Sequence, residues 1–533
     1  MQLLKEDTRR FQGQDVVFKD ISAVNDLATM HRTCLGPNGL GKLVVTHLGK
    51  AVISRRTSTI LENLPVEHPA VKLVVMAANN QAQEIGDNTT FVITVAGEIL
   101  EKVKPFLEMR LSGKDLIEGL DMATKKCLEI LPTLSVFTPS DLTNAEQVTM
   151  CIKPVIGAKM NGYENVLAPL TAQACCDTLP KDPAQFNVEH VRVAKVMGGS
   201  PLDSQVVRGF CLPRDSEGSV KHITNCKIAV FGCAVDKDDG ENKGNIVFHN
   251  AEELTAYTTG EEEEMKRAID AIVATGVNVI ATGATFGEIA QHFIEQRKLM
   301  AIKIPSKFDL RRFCLATGAS AMVRLGAPTA EEIGHAQSID VDEVGGTKVV
   351  KISQPAEDCT SRISTILIRA ATQNQLDEME RVINDGVNVF KAMTRNAKFV
   401  AGGGACEIEL SRQLESYGQT IPGLQQYGVR AFAEALAVIP KTLAENAGLN
   451  YNDILSNLRA AHAQGKQNFG VDIENGVVAD MHEAHVYDLM IGKEWAIKVL
   501  TDAVRTVLQI DQIIMSKPAG GPKPPKQGGD DED

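Results

Sequence analysis

Asn374-Gln375-Leu376-Asp377-Glu378-Met379-Glu380-Arg381-Val382-Ile383-Asn384-Asp385-Gly386-Val387-Asn388-Val389-Phe390-Lys391-Ala392-Met393 spaces Leu376, Met379, Ile383, Phe390 and Met393 at intervals of three, four and seven. That spacing lays one apolar stripe along a helix. The stretch is decisive because of its contrast with the chain before it. From about Val191 to Ile352, short Val- and Ile-rich segments such as Lys227-Ile228-Ala229-Val230-Phe231 and Val277-Asn278-Val279-Ile280-Ala281 alternate with helical stretches, the texture of an α/β unit. Earlier still, to about residue 140, helices flank one short β ribbon, Leu43-Val44-Val45-Thr46-His47-Leu48-Gly49-Lys50-Ala51-Val52-Ile53, whose β-branched runs break at Gly49. Helical periodicity starts, stops and returns, so the sequence describes a helical protein split by an inserted α/β unit.

With 533 residues the chain exceeds what one hydrophobic core organises, and size predicts roughly two to four domains. An apolar share of 44% with 23% charged residues is globular composition. No stretch approaches the roughly 20 apolar residues of a membrane span, so a soluble protein with no membrane partner is expected. Met1-Gln2-Leu3-Leu4-Lys5-Glu6 mixes acid and base and lacks the apolar core of a secretory signal, which points to the cytoplasm. The eleven cysteines are scattered and form no Cys-x-x-Cys pair; they read as buried reduced thiols rather than zinc ligands. A net charge of −13 argues against a nucleic-acid partner, which requires clustered Lys and Arg. It leaves room for a single nucleotide at a local site.

Two acidic segments, Lys237-Asp238-Asp239-Gly240-Glu241-Asn242-Lys243-Gly244 and Thr259-Gly260-Glu261-Glu262-Glu263-Glu264, are too polar to pack, so the segment between them is expected to project from the surface. The end of the chain, Lys517-Pro518-Ala519-Gly520-Gly521-Pro522-Lys523-Pro524-Pro525-Lys526 and then Asp530-Asp531-Glu532-Asp533, has no apolar residue able to offset ordering entropy and reads as a disordered tail.

Several short segments carry chemistry. Gly36-Pro37-Asn38-Gly39-Leu40-Gly41-Lys42 has P-loop spacing up to the lysine, but Leu43 stands where Ser or Thr would hold magnesium. A P-loop also runs from strand to helix, whereas here a helical stretch precedes and an extended one follows. The segment is either an ordinary turn or a glycine turn that lets backbone N–H groups approach a phosphate. Gly86-Asp87-Asn88-Thr89-Thr90 opens an amphipathic helix whose inward face is Val92, Val95, Ala96, Ile99 and Val103. A helix start attracts phosphate, and Asp87 fits beside that anion only with magnesium between them; the alternative is that Asp87 or Asn88 simply caps the helix. Gly402-Gly403-Gly404-Ala405, before a helix beginning near Glu407, lets backbone approach a ligand closely. Asp385 lies beside the apolar stripe of the 374–396 helix, facing a cleft if that helix borders one and solvent if it does not. His482-Glu483-Ala484-His485 lacks the i, i+4 histidine spacing of a zinc motif.

In order, Gly36-Pro37-Asn38-Gly39, Gly86-Asp87-Asn88-Thr89-Thr90, Asp385-Gly386, Gly402-Gly403-Gly404-Ala405-Cys406-Glu407 and Asp511-Gln512-Ile513-Ile514-Met515 resemble the signature of group II chaperonins nearly end to end. Ser306-Lys307-Phe308-Asp309-Leu310-Arg311-Arg312, Leu443-Ala444-Glu445-Asn446-Ala447-Gly448 and the Pro-rich tail are of the kind that separates one subunit type of that family from another. The resemblance implies a multidomain α and α/β, GroEL-like chaperonin fold. Its mainly helical equatorial ATP-binding domain would span 1–141 and 396–533, with about 517–533 as the disordered tail. The intermediate hinge would take 142–204 and 359–395, and the inserted α/β apical substrate-binding domain 205–358, with a helical lid protrusion that includes the acidic stretch.

By the same resemblance the function is ATP-dependent folding of non-native polypeptide clients, actin and tubulin among them, inside two stacked eight-membered rings built with seven paralogous subunits. ATP and Mg2+ are the implied cofactors. Gly36, Pro37 and Gly39 would touch phosphate, and Asp87 would hold magnesium. Asn88 would belong to the same nucleotide loop, with Thr89 and Thr90 on phosphate oxygens. Lys159 would sense the γ-phosphate, Gly403 and Gly404 would border the nucleotide, and Glu483 would lie near the ribose. Asp385 would position or activate the attacking water and swing in as the hinge closes. Two departures stand out. Asn88 replaces a glycine of the family's Gly-Asp-Gly-Thr, a mild change because Asn tolerates left-handed backbone. In Arg55-Arg56-Thr57-Ser58-Thr59-Ile60-Leu61, Arg56 takes the place of a second carboxylate near the attacking water. Arg56 thus separates an ATP-driven folding machine from a ring subunit that binds nucleotide but hydrolyses it poorly. A third possibility, an unrelated P-loop enzyme, is disfavoured by the reversed order around Lys42.

Overall fold

The computed structural model describes residues 9–12, 14–46, 49–236, 251–354 and 363–515. Lys237–Gly244 and the Pro-rich tail lie outside the described residues. The largest core joins both ends of the chain: Val24, Ala28, Val92, Ile99 and Leu120 pack with Leu410, Phe432, Ile497 and Val504. Its central element is the Thr89–Glu108 helix, where Val92, Val95, Ala96, Ile99 and Val103 are all buried. Burying this many side chains at about 25 cal/mol per Å² makes the two chain ends one cooperative unit.

A second core combines Ile152, Ile156, Leu167 and Val193 with Ile366, Leu376, Met379, Ile383, Phe390 and Met393. The apolar stripe read from the sequence is therefore the buried face of the Gln373–Arg395 helix. Residues between 210 and 363 form two further cores on either side of a sheet. Among the described residues that sheet has nine strands, ordered Val191–Met197, Ser364–Ala370, Gln205–Leu212, Thr347–Ser353, Gly334–Val344, His222–Phe231, Val279–Thr282 and Met300–Lys303, with Ala321–Met322 beside His222–Phe231. His222–Phe231, Val279–Thr282 and Met300–Lys303 pair in parallel, and the Glu288–Gln296 helix supplies the crossover between the last two. Both segments read as Val- and Ile-rich strands are central here, with Ile228 to Phe231 and Val279 to Ala281 fully buried.

The ribbon is an antiparallel hairpin, Lys42–Val45 on Ala51–Ser54, with Lys42 opposite Ser54. It follows the Gln14–Arg32 helix and precedes the Thr57–Asn63 helix, so the order around Lys42 is helix then strand, opposite to a P-loop. The acidic stretch at 259–264 differs from a polar loop: it lies within the Ala251–Ala274 helix, with Glu262, Glu263 and Glu264 exposed and Met265, Ile269 and Ile272 buried. Amphipathic spacing beyond the glutamates, together with a partner surface, outweighs the local charge repulsion.

Candidate nucleotide site

Gly86 and Asn88 shape the start of the Thr89–Glu108 helix. Gly86 has φ +83°, and a Cβ there would lie 2.6 Å from Asn388 Cβ, so the loop presses against the Gln373–Arg395 helix where no side chain fits. Asn88 adopts φ 63°, ψ 18°, the left-handed conformation its side chain tolerates best after glycine. It makes no side-chain cap bond, and the first helical turn holds no acidic residue. The exposed N–H groups and positive dipole end are therefore left for an anion. Gln81 fixes the loop by donating from Nε2 to Asp87 O at 3.0 Å and to Gly492 O at 3.2 Å. Thr90 Oγ1 lies 2.7 Å from Thr57 Oγ1, which ties the loop to the Thr57–Asn63 helix.

Four charges meet beside that loop. Lys159 Nζ, at the end of the Ala145–Lys159 helix, donates to Gly86 O at 3.1 Å and lies 3.0 Å from Asp87 Oδ1 and 2.9 Å from Asp385 Oδ2. Arg56 Nη2 lies 2.7 Å from the other Asp385 oxygen. The Asp385 side chain is wholly buried. Burial pushes its carboxyl above the ordinary value, against the pull of Lys159 and Arg56. Burial works the other way on Lys159, but the charges of Asp385 and Asp87 outweigh it and hold the ammonium above its ordinary value. A carboxyl raised towards neutrality beside an ionised lysine is the electrostatic profile of a general base.

A circuit of direct contacts connects this cluster to the two glycine turns. Arg55 Nη1 donates to Pro37 O at 3.4 Å. Gly36 lies against Leu443, and Gly404 against Pro440, one turn earlier on the same Val438–Asn446 helix. Asn446 of that helix donates to Arg32 O and Leu35 O at 3.0 and 2.8 Å, fixing the chain just before the first turn. Gly404, at φ +81°, starts the Ala405–Gly418 helix. That helix carries Glu407 onto the buried Lys493 Nζ, which also lies 2.9 Å from Asp488 Oδ2. Gly492, next in line, touches Asn88, and the circuit closes.

The structure thus brings Gly36, Pro37, Asp87, Asn88, Thr90, Lys159, Asp385 and Gly404 into one continuous arrangement. Gly39 belongs to the first turn, its N–H donating to Gly36 O at 3.0 Å. Thr89 is the first, buried residue of the helix. Gly403 borders the circuit through Met481 and Val471. Glu483 lies exposed in the turn between Met481 and Val486, both of which touch the glycine run. Sequence reasoning missed Arg55, Thr57, Asp488 and Lys493. Lys493 was legible: it sits one turn before Ala496 and Ile497 on the buried stripe of the Met490–Leu508 helix, where an unpaired lysine would be untenable. Its ammonium is held above the ordinary value by Asp488 and Glu407 despite burial. Asp488 is pushed up by burial, with Lys493 opposing and the charges of Glu407 and Asp87 adding to the rise.

The sequence of the chain matches the TCP-1/cpn60 chaperonin family over residues 27–518, and the chain belongs to that family. Within it the chain is similar to proteins named T-complex protein 1 subunit theta. It is 44% identical to that of Dictyostelium discoideum over 532 residues, covering 100% of this chain and 99% of the relative. Identity to the human protein is 44% over 536 residues, covering 100% and 97%, and to that of Caenorhabditis briggsae 40% over 534 residues, covering 99% and 97%. Among the described residues no helix is long and apolar enough to cross a membrane.

Proposed function

We propose that this chain is an ATP-dependent chaperonin subunit that works beside paralogous subunits in a hetero-oligomeric double ring in the cytosol, folding non-native polypeptides. Membership of a nucleotide-dependent family and full-length likeness to theta subunits support the general reading. The observation that carries the site is Lys159, an ammonium gripped by Asp87 and Asp385 at 3.0 and 2.9 Å. Two hard carboxylate donors already hold a cation at this point, beside an acid-free helix start, which fits a magnesium–phosphate pair.

In this reading Asp87 holds magnesium, which when bound offsets the charge of the phosphates. The turn at Gly36, Pro37 and Gly39, and the hydroxyls of Thr89 and Thr90, take phosphate oxygens. Gly403 and Gly404 border the nucleotide, and Asp488 is better placed than Glu483 for its polar remainder, because it lies inside the circuit. Asp385 accepts the proton of the attacking water, and its raised proton affinity suits that role. Arg56 restrains it by ion pairing, so hydrolysis at this subunit is slow while ATP still binds. The equatorial, intermediate and apical assignments given above complete the reading, with the 373–395 helix on the hinge.

The test is photolabelling of this subunit by an azido-ATP in the assembled complex. Asp87→Ala is expected to abolish magnesium-dependent labelling, and labelling that persists unchanged overturns the assignment.

A further inference from the structure

The corner Ser54-Arg55-Arg56, between the ribbon and the Thr57–Asn63 helix, meets the Gln373–Arg395 helix at two places. Ser54 Oγ donates to Glu378 Oε1 at 2.8 Å, and the Arg55 backbone N–H donates to the same oxygen at 3.2 Å. Ser54 Oγ in turn accepts the Arg56 backbone N–H at 3.0 Å. From there the Arg56 guanidinium reaches Asp385 at 2.7 Å. The second Glu378 oxygen is held by Arg381 Nη1 at 3.1 Å. Glu378 and Asp385 are seven residues apart, about two helical turns, and so share one helix face. One end of that face grips the backbone of the corner and the other grips its guanidinium.

Arg56 is the N-cap of a short helix and has no side-chain cap bond of its own; its carbonyl is held by the Ile60 N–H at 3.1 Å, and its own N–H by the Ser54–Glu378 pair. A long arginine side chain reaches a buried carboxylate reproducibly only from a fixed backbone, since its rotamer freedom otherwise opposes the contact.

We propose that Glu378 is a positioning residue for this site: through Ser54 it fixes the corner from which Arg56 reaches Asp385, and the two acids together latch the 373–395 helix onto the corner beside the phosphate-binding elements. The consequence for hydrolysis rests on the function proposed above; the latch does not. While latched, Asp385 has a cation on each carboxylate oxygen, Lys159 on one and Arg56 on the other, so an attacking water must displace one of them to reach it. Turnover requires Arg56 to leave, and Glu378 sets how readily the corner allows it.

The experiment compares the parent assembled complex with Glu378→Ala, Ser54→Ala and Glu378→Gln variants by hydrogen–deuterium exchange of peptides covering 373–395 and 54–63, without nucleotide. Hydrogen bonds to a charged group are lost, so Glu378→Ala and Ser54→Ala are expected to speed exchange over both segments about tenfold or more. Glu378→Gln keeps an acceptor oxygen and is expected to stay near the parent. In single-turnover hydrolysis with this subunit as the active site, Glu378→Ala is expected to raise the rate constant severalfold with the half-saturating ATP concentration little changed, a split that plain structural damage would not produce. Unchanged exchange in Glu378→Ala, or an equal rise throughout the subunit, overturns the proposal. Failure of the functional reading appears elsewhere, as a parent complex that takes no azido-ATP label.

Discussion

Glu409 and Asp385 are both carboxylates without solvent exposure, both bound by cations, and the protein moves their proton affinities in opposite directions. Burial would raise Glu409 as well, but hydrogen bonds from His462, Arg412 and Gln413 more than offset it and hold the carboxyl at about 2. Arg412 and Gln413 come from the acid's own helix, three and four residues on, and His462 Nδ1 completes the set at 3.0 Å. Donors at i+3 and i+4 arrive with the helix and need little extra ordering. Asp385 draws on Lys159 and Arg56, which come from two distant segments, and Lys159 is shared with Asp87 and Gly86. Its partners are divided, burial wins, and the carboxyl is raised. Full local satisfaction makes a structural acid, whereas divided long-range pairing leaves an acid with proton affinity to use.

The sharpest way to break this comparison is to remove each acid. Asp385→Asn is expected to lower single-turnover hydrolysis at this subunit by about 10²- to 10⁴-fold, the usual scale of a general base, while azido-ATP labelling persists. Equal loss of labelling and turnover would make Asp385 structural like Glu409. Glu409→Ala should behave in the opposite way, destabilising the Ala405–Gly418 helix by about 1–3 kcal/mol, because it leaves the buried His462 without its acceptor, with hydrolysis reduced only as far as the subunit unfolds. Chemical denaturation followed at that helix checks it.

The same acid carries a pH signature. The folded value of about 2 lies below the ordinary 4.5, so its stabilisation is complete above about pH 4.5 and is lost as pH falls from there towards 2. Exchange at 405–418 between pH 6 and 3, divided by the intrinsic rate at each pH, should rise in that window in the parent and rise less in Glu409→Ala. The smallest expected effect is on Arg56. Its charge lowers the Asp385 proton affinity, so Arg56→Asn should shift the acid limb of the pH–rate profile to higher pH while raising the plateau rate. A limb that moves to lower pH would mean that Arg56 does not act on Asp385.

Some of this was open to direct reading of the chain. The stripe Leu376, Met379, Ile383, Phe390 and Met393 is a period, and a period survives without knowledge of the partner surface. Asn88 in left-handed backbone and the break at Gly49, observed at φ 75°, follow from what single residues permit in φ and ψ. The sequence by itself therefore determined where helices and the ribbon form, that an α/β unit interrupts the helical chain, and that Gly36–Lys42 has the wrong flanks for a P-loop, because these depend on interactions within a few residues. The polar run at 259–264 misled at this same range: it lies in a helix whose buried residues Met265, Ile269 and Ile272 come after the glutamates in sequence. Tertiary structure alone decided that Arg56 pairs with Asp385, that Lys159 reaches an acid 226 residues away, and that Asp488 lies beside the buried Lys493. Charges declare no partner in sequence, since Coulomb attraction acts through space and its strength is set by burial, which exists only once the separate segments have packed.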